Sequence, residues 1–509
     1  MSITRNLLMG STALVGLTAF AQNTNKPNII FILCDDMGYG DLACYGQPYI
    51  QTPNIDRMAS EGMLFTQAYA GSPVSAPSRA TLMTGQHTGH THVRGNKEYW
   101  KGRPQQQYGV TQEPDRVGQE PYDPNHVILP EIMKANGYTT GMFGKWAGGY
   151  EGSVSTPKTR GIDEYYGYIC QYMAHRYFPN FLNRYSPRRG DKDVIRIPME
   201  ENIKYSDGCT NPDYAKRTQY SGDMIHQEAL EWLDLQTKDK PFYGLFTYTL
   251  PHAELYQPND SILQAYYGKF CNDKTFGGTD RYHATINTHA QFAAMITRLD
   301  AYVGEIMAKL KEKGLDDNTI LIFSSDNGPH EEGGADPDFF GRDGKLQGKK
   351  RSCHEGGIRI PFIVRWPGHV KAGSVNDHML AFYDIMPTFC DLIGQENYIE
   401  KFGNKKVEND YFDGISFAPT LLGKDGQKEH EFLYWEFHET NQMGVRKGDW
   451  KLYVNGGKCK LFNLANDVHE DHDVSAQHPE VVKELVKIIY EQHTTPDVNE
   501  FKTVTLPQR

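Results

Sequence analysis

Two unbroken apolar runs, each closed by polar oxygen side chains, limit most strongly what this chain can fold into. Residues 28–36 read N-I-I-F-I-L-C-D-D, and residues 319–328 read T-I-L-I-F-S-S-D-N-G. Runs of this kind are typical of strands buried on both faces of a parallel sheet. Amphipathic helical patterns occupy residues 220–236 and 289–313. The sequence therefore predicts an α/β fold with a large, mostly parallel sheet flanked by helices.

The ends of these two strands carry a candidate metal site. Asp35 and Asp36 close the first run, and Asp326 and Asn327 close the second. Ligands of open α/β sheets bind beyond the carboxyl ends of the strands. Adjacent carboxylates repel each other unless a cation lies between them. Oxygen ligands without His or Cys favour a single hard ion, Ca²⁺ or Mg²⁺.

A second candidate site lies in residues 71–86, G-S-P-V-S-A-P-S-R-A-T-L-M-T-G-Q. Pro77 suits the first turn of a helix, because its missing N–H would have no partner there. The residues before Pro77 then lie at a helix N-terminus, which attracts anions. Arg79 adds a planar fork for a tetrahedral oxyanion. The alternative is a surface loop capped by Ser78.

Three further basic residues follow predicted strands or turns. Lys145 ends the segment G-Y-T-T-G-M-F-G-K-W, and Lys350 lies in L-Q-G-K-K-R-S-C-H-E-G-G. His252 follows a strand predicted at residues 241–250. A histidine at the carboxyl end of a strand is well placed for acid–base chemistry.

Taken together and in this order, these motifs resemble those of the type I sulfatases, whose signature S/C-x-P-S-R-x-x-L-x-x-G matches residues 75–85. The resemblance implies an alkaline phosphatase-like fold and a sulfuric ester hydrolase. It implies that Ser75 is oxidised to formylglycine (3-oxoalanine), whose hydrate attacks sulfur and then expels sulfate. The implied site residues are Asp35, Asp36, Asp326, Asn327 and the modified Ser75 around the cation, Arg79, Lys145 and Lys350 on the sulfate, and His252 as the proton donor to the leaving alcohol.

The chain departs from the family pattern at two positions. Ala147 stands where the family motif G-K-W-H has its histidine, and Gln347 replaces the usual arginine. Residues 161–183 are dense in aromatics and contain His175 and Arg176. We hypothesise that His175 replaces the missing imidazole in space and that Arg176 lines a sugar pocket.

The C-terminal part has a different character. Short strands are indicated at residues 432–435, 444–453 and 460–463, and an amphipathic helix at 479–493. This pattern predicts a small antiparallel sheet with a helix. We expect a catalytic domain at residues 22–395 and a C-terminal subdomain at 396–509. The family resemblance implies that the subdomain lends residues to the substrate pocket, with Glu436 and His438 as candidates.

The N-terminus has the features of a secretory signal peptide over residues 1–21. Arg5 precedes an apolar stretch at residues 7–20, and Ala19-Phe20-Ala21 forms a cleavage site. We expect export across the inner membrane to the periplasm, with no membrane span in the mature chain.

The net charge of −11 argues against a nucleic-acid partner. The eight cysteines include no C-x-x-C pair, which argues against a thiolate zinc site.

Partners follow from the resemblance. A serine rather than a cysteine at position 75 implies an anaerobic-type sulfatase-maturating enzyme and an anaerobic bacterial source. Secretion and the aromatic, basic middle region favour a sulfated saccharide substrate, with galactose or N-acetylgalactosamine sulfate preferred by family likeness.

Three other interpretations stay open at this point. A related phosphoesterase would use unmodified Ser75 and two transition-metal ions. A non-catalytic glycan-binding protein would explain why Ala147 stands at the position of the family's histidine. A structural secreted protein would leave the strand-end cluster unexplained.

Separately, His87, His90 and His92 lie close together in a Gly/Thr-rich loop and invite a zinc interpretation, although no carboxylate or cysteine joins them at a suitable spacing.

Overall fold

The computed structural model describes residues 26–100, 103–104, 117–205, 212–279, 281–341, 346–404 and 410–509. The predicted signal segment, residues 1–21, lies outside these ranges. None of the described helices combines the length and the apolar character needed to cross a bilayer. The seven cysteines in the described ranges are all free thiols.

A ten-stranded sheet forms the centre of the described molecule. Its strands, in spatial order, are Ile195–Pro198, Phe181–Tyr185, Glu164–Tyr168, Thr139–Lys145, Phe242–Thr247, Asn28–Cys34, Thr319–Ser325, Phe362–Arg365, Met63–Phe65 and Ser374–Asn376. The five strands from Glu164–Tyr168 to Thr319–Ser325 run parallel, and both flanks contain antiparallel pairs. The predicted α/β fold is confirmed, with a sheet that is parallel at its centre and mixed at its edges.

The strand Asn28–Cys34 is buried on both faces, as its apolar run predicted. Ile30 and Ile32 belong to one hydrophobic cluster, and Ile29, Phe31 and Leu33 belong to another. The helices Pro53–Ser60, Ser221–Asp234 and Thr288–Glu312 contribute to the first cluster, and Ser75–Thr84, Leu129–Ala135 and Ile385–Leu392 to the second. Successive side chains of this strand therefore point to opposite faces of the sheet, as the two-residue period of a β-strand requires.

Shorter elements complete the described part. The remaining α-helices are Ser261–Gln264, Pro337–Phe340, Glu355–Ile358, Tyr398–Phe402, Ala418–Leu421 and Pro479–Gln492. The minor sheets are Glu98–Trp100 with Arg103–Pro104 and Val117–Gln119, Thr275–Phe276 with Thr285–Ile286, and Ala68–Tyr69 with Leu380–Ala381.

The register of the two central strands sets the position of the site. Asn28–Cys34 pairs in parallel with Thr319–Ser325 over all seven residues, so that Cys34 lies opposite Ser325. The backbone N–H of Asp326 continues this pairing and donates to the carbonyl oxygen of Cys34 at 3.1 Å. Consequently the acidic residues that follow each strand are side by side, although they are 290 positions apart in the sequence.

The C-terminal part forms the predicted antiparallel sheet. Its strands are Leu433–Phe437, Gln442–Lys447, Trp450–Asn455 and Lys458–Asn463. The helix Pro479–Gln492 packs on one face, and a cluster shared with Tyr69 and Ile358 covers the other. A fully buried ion pair, Lys451 Nζ to Glu355 Oε1 at 2.8 Å, joins this sheet to the larger part.

Candidate active site

The four predicted metal ligands come together at the carboxyl ends of the two central strands. Carboxylate oxygens of Asp35, Asp36 and Asp326 all lie within 4.8 Å of one another, and the three residues are at most 1% exposed. Asn327 Nδ2 donates to Asp36 Oδ1 at 2.7 Å, while its buried Oδ1 has no hydrogen-bond partner in the structure. Converging carboxylates and an unsatisfied amide oxygen are a donor set that suits a hard divalent cation.

Ser75 is the first residue of the helix Ser75–Thr84 and lies against this cluster. Its Oγ donates to Asp35 Oδ1 at 2.8 Å, and the residue is 5% exposed. Pro77 lies in the first turn, where its missing N–H leaves no intrahelical bond unmade. The helix start is confirmed, and the interpretation of this segment as a surface loop is wrong.

Three buried cations surround the carboxylates. Arg79 Nη2 is 2.8 Å from Asp326 Oδ2, and Lys350 Nζ is 2.7 Å from Asp36 Oδ2. Lys145 Nζ donates to Asp35 Oδ2. Burial lowers the pKa of Lys145, with Asp35 opposing the shift. Burial also disfavours the charge of Lys350, but Asp36 and Glu332 outweigh it and raise the pKa.

His252 has a defined tautomer. Its Nδ1 bonds to the carbonyl oxygen of Ala253, which can only accept, so Nδ1 carries the proton. Its Nε2 is then the acceptor for Lys350 Nζ at 2.9 Å. Burial, followed by the charge of Lys350, holds the pKa of His252 well below its usual range. In this state the imidazole is neutral, and the lone pair of Nε2 accepts the hydrogen bond from Lys350.

His175 lies beside His252. The two rings are stacked with their centroids 4.3 Å apart and an angle of 14° between the planes. His175 is 7% exposed, and its Nδ1 has no hydrogen-bond partner in the structure. Burial lowers the pKa of His175 well below its usual value. The structure thus brings an imidazole to the pocket, whereas Ala147 offers none.

Five of the predicted residues, Ser75, Lys145, His175, His252 and Lys350, line one pocket of about 210 Å³. The same pocket has further lining residues that the sequence did not single out: Asn96, Glu98, Gln171, Arg281, Glu332, Arg351 and Glu439. Most of these lie outside the regular strands and helices. They carry no periodic pattern, so nothing in the sequence alone marked them.

Glu332 connects several of the cations. Its Oε2 is 3.3 Å from Lys350 Nζ and 3.4 Å from His252 Nε2, and its Oε1 accepts from Arg351 Nη1 at 2.7 Å. Burial opposes its negative charge, but the charges of Lys350 and Arg351 outweigh burial and hold the pKa of Glu332 well below its usual range. Glu332 is therefore a fixed anion that positions Lys350.

The structure brings none of the three predicted substrate contacts to this pocket. Arg176 Nη1 is 3.6 Å from Glu254 Oε2, and Arg176 does not line the pocket. Glu436 is 1% exposed, and its Oε1 is 2.8 Å from Arg94 Nη1. His438 packs on the ring of Phe501, with the centroids 4.6 Å apart.

Two of the three neighbouring histidines, His87 and His90, lie against the same carboxylate, Asp413. His90 Nδ1 bonds to Asp413 Oδ1 at 2.8 Å, and His92 Nε2 lies 3.4 Å from Glu120 Oε1. His87 Nδ1 accepts from the N–H of Gly89 at 3.1 Å, which places the proton on Nε2. One ligand atom each of His87, His90 and Asp413 lies within 4.8 Å of the other two, so these three residues form a group that could hold a metal ion, and His92 is not part of it.

Comparison with known proteins is consistent with this geometry. The Sulfatase family matches residues 27–395, and the family of the N-sulphoglucosamine sulphohydrolase C-terminal region matches residues 347–495. The N-acetylgalactosamine-6-O-sulfatase of Bacteroides thetaiotaomicron is 30% identical, over 92% of this chain and 93% of that protein. The N-acetylgalactosamine-6-sulfatase of Rattus norvegicus is 30% identical, over 88% of this chain and 75% of that protein.

The fold also resembles solved structures. The crystal structure of Ps i-CgsB has a TM-score of 0.69 and is 28% identical, over 93% of this chain and 94% of that chain. The same protein has a structure in complex with k-i-k-neocarrahexaose. The fold, the site and the family match together define a sulfuric ester hydrolase. The chain belongs to the sulfatase family, as its motifs predicted.

Proposed function

We propose that this chain hydrolyses sulfate esters of a sulfated saccharide through a formylglycine made from Ser75. The observation that carries the proposal is the position of Ser75 Oγ, 2.8 Å from Asp35 within a buried cluster of carboxylates and cations. The relatives named above act on N-acetylgalactosamine 6-sulfate, which makes this sugar or the matching galactose sulfate the preferred substrate.

The proposed cation site consists of Asp35, Asp36, Asp326, Asn327 and the modified Ser75. Ca²⁺, ahead of Mg²⁺, would supply a Lewis acid there that lowers the pKa of a neighbouring hydroxyl and polarises the sulfate. A formylglycine hydrate would supply one hydroxyl that attacks sulfur and a second that would lose its proton, so that sulfate leaves and the aldehyde is restored.

The chain's own cations orient the sulfate. Arg79, Lys145 and Lys350 are already fixed by carboxylates, so they present charged donors without further rearrangement. Lys350 Nζ donates to His252 Nε2 at 2.9 Å, so the proton that His252 passes to the leaving oxygen comes from Lys350.

His175 is proposed to supply the imidazole that Ala147 lacks. Its stacking on His252 and its unpartnered Nδ1 support this assignment. A His175→Ala variant with undiminished turnover would contradict it.

We further propose export of the chain through residues 1–21, modification by an anaerobic-type maturating enzyme, a catalytic domain at residues 22–395 and a subdomain at 396–509.

The test is peptide mass spectrometry across Ser75, with the chain expressed with and without a maturating enzyme. The expected peptide is lighter by two hydrogen atoms only when the maturase is present, and only that material hydrolyses monosulfated N-acetylgalactosamine or galactose. The Ser75→Ala variant is the inactive control. Full activity with unmodified Ser75 and two transition-metal ions per chain would instead support the phosphoesterase interpretation.

A further inference from the structure

One wall of the pocket has hydrogen-bonding capacity that the sulfate chemistry leaves unused. Gln171, Glu98 and Arg281 line the pocket together with Ser75 and Lys350. None of these three residues has a role in holding the cation or the sulfate in the function proposed above. Their contacts therefore bear on how the rest of the substrate is recognised.

Gln171 presents an acceptor. Its Nε2 donates to Asn96 Oδ1 at 2.9 Å and to Glu98 Oε1 at 3.3 Å, which fixes the orientation of the amide. Its Oε1 is buried and has no hydrogen-bond partner in the structure, and the residue is only 6% exposed. A buried amide oxygen of this kind is suited to a donor from a ligand.

Arg281 presents donors. Its guanidinium lies 5.6 Å from the ring centroid of Tyr172 and 5.7 Å from that of Tyr282. Its buried Nε has no hydrogen-bond partner. Lys145 and Lys350 each contact a carboxylate, whereas no ion pair of Arg281 occurs among the described residues.

Glu332 and Glu98 offset the positive charge that Arg281 presents to a ligand. Burial disfavours the charge of Arg281, but Tyr282, Glu332 and Glu98 outweigh it and raise its pKa. A sugar hydroxyl accepts from a guanidinium and donates to an amide or carboxylate oxygen at the same time. A second sulfate has no proton to donate and would meet the negative charge of Glu98.

We propose that Gln171 and Arg281 bind hydroxyl groups of the sulfated sugar ring, and that Glu98 beside them disfavours a ring with a second anionic substituent. This inference rests on the proposed sulfatase function and narrows its substrate to a monosulfated neutral sugar.

The experiment compares kcat/KM of the mature enzyme for 6-sulfated and 4,6-disulfated N-acetylgalactosamine. The wild-type enzyme is expected to prefer the monosulfated sugar. Arg281→Lys keeps the charge but loses the planar fork, so it should raise KM about tenfold with a smaller change in kcat. Glu98→Gln should shift the preference toward the disulfated sugar about fivefold, because it removes the repulsion.

Arg57→Lys and Glu201→Gln, both on the surface, are the matched controls. Melting curves establish that each variant is folded, and the two variants test the proposal independently. An active wild-type enzyme whose KM and preference stay unchanged in both folded variants would overturn this inference alone. A mature wild-type enzyme inactive on every monosulfated sugar would overturn the proposed function and the inference with it.

Discussion

Replacing Asp326 by asparagine tests the charge balance of the site without depending on activity. Asp326 Oδ2 is 2.8 Å from Arg79 Nη2 and 3.9 Å from Lys145 Nζ. At an effective dielectric constant of about 20, these attractions amount to about 6 and about 4 kcal/mol. Asp35 and Asp36, within 4.8 Å, each repel Asp326 by at least about 3.5 kcal/mol on the same scale.

The attractions of Asp326 to the two cations exceed its repulsion from the two carboxylates by at most about 3 kcal/mol. Asp326→Asn should therefore lower the free energy of unfolding by no more than this amount when no cation is bound. With about 2.1 cal/mol/K of unfolding entropy per residue, a chain of 509 residues loses about 3 °C in Tm for this change. A cation at a hundred times its Kd stabilises the wild-type chain by a further 2.7 kcal/mol or so, about 3 °C. The asparagine variant lacks one carboxylate ligand and should gain much less.

The assay is differential scanning calorimetry in EDTA and in excess Ca²⁺, with the exposed Asp317→Asn as the control. The wild type and the control should both gain about 3 °C from Ca²⁺. If the Asp326→Asn variant has the same Tm as the wild type in EDTA and its Tm rises by the same amount in Ca²⁺, the assignment of Asp326 to a cation site is refuted.

Three further predictions concern other parts of the molecule. His252→Ala should lower kcat by about 10²- to 10⁴-fold while the mass of the Ser75 peptide stays unchanged, as steady-state kinetics and mass spectrometry would show. Burial raises the pKa of Asp300 to about 6, so its contribution to stability is present below about pH 4 and is lost as the pH rises through about 6. Asp300→Asn should flatten this part of the pH dependence of urea unfolding, and an unchanged profile would contradict the shift. Arg94→Met leaves Glu436 buried without its arginine, and the free energy of unfolding should fall by about 3 kcal/mol in urea titrations.

The parts of the site that sequence predicted lie at the ends of regular elements. Asp35 and Asp326 follow buried strands, and parallel strands end at one edge of a sheet, so their proximity follows from the apolar runs. Ser75 was predictable because Pro77 indicates where its helix begins. In each case, local periodicity or backbone chemistry determines the position of the side chain.

The residues that sequence did not predict depend on the paths of irregular segments. Gln171 and Arg281 reach the pocket from irregular segments, and Glu439 reaches it from the short 3-10 helix His438–Thr440. Arg176 directly follows His175 but has an extended backbone, with φ −105° and ψ 114°, and its side chain pairs with Glu254 instead. Proximity in sequence to a pocket residue was therefore a poor guide to the sugar contacts.

The contacts of Arg94 bear on the order in which the pocket is completed. Arg94 Nη1 donates to the carbonyl oxygen of Thr494 at 2.7 Å, across 400 positions of the chain. Two residues further, the N–H of Asn96 donates to Glu439 Oε1 at 2.7 Å. A chain still emerging from the ribosome lacks these partners, so its pocket wall has no fixed position. Ser75 thus becomes fully enclosed only after nearly the whole chain has been synthesised.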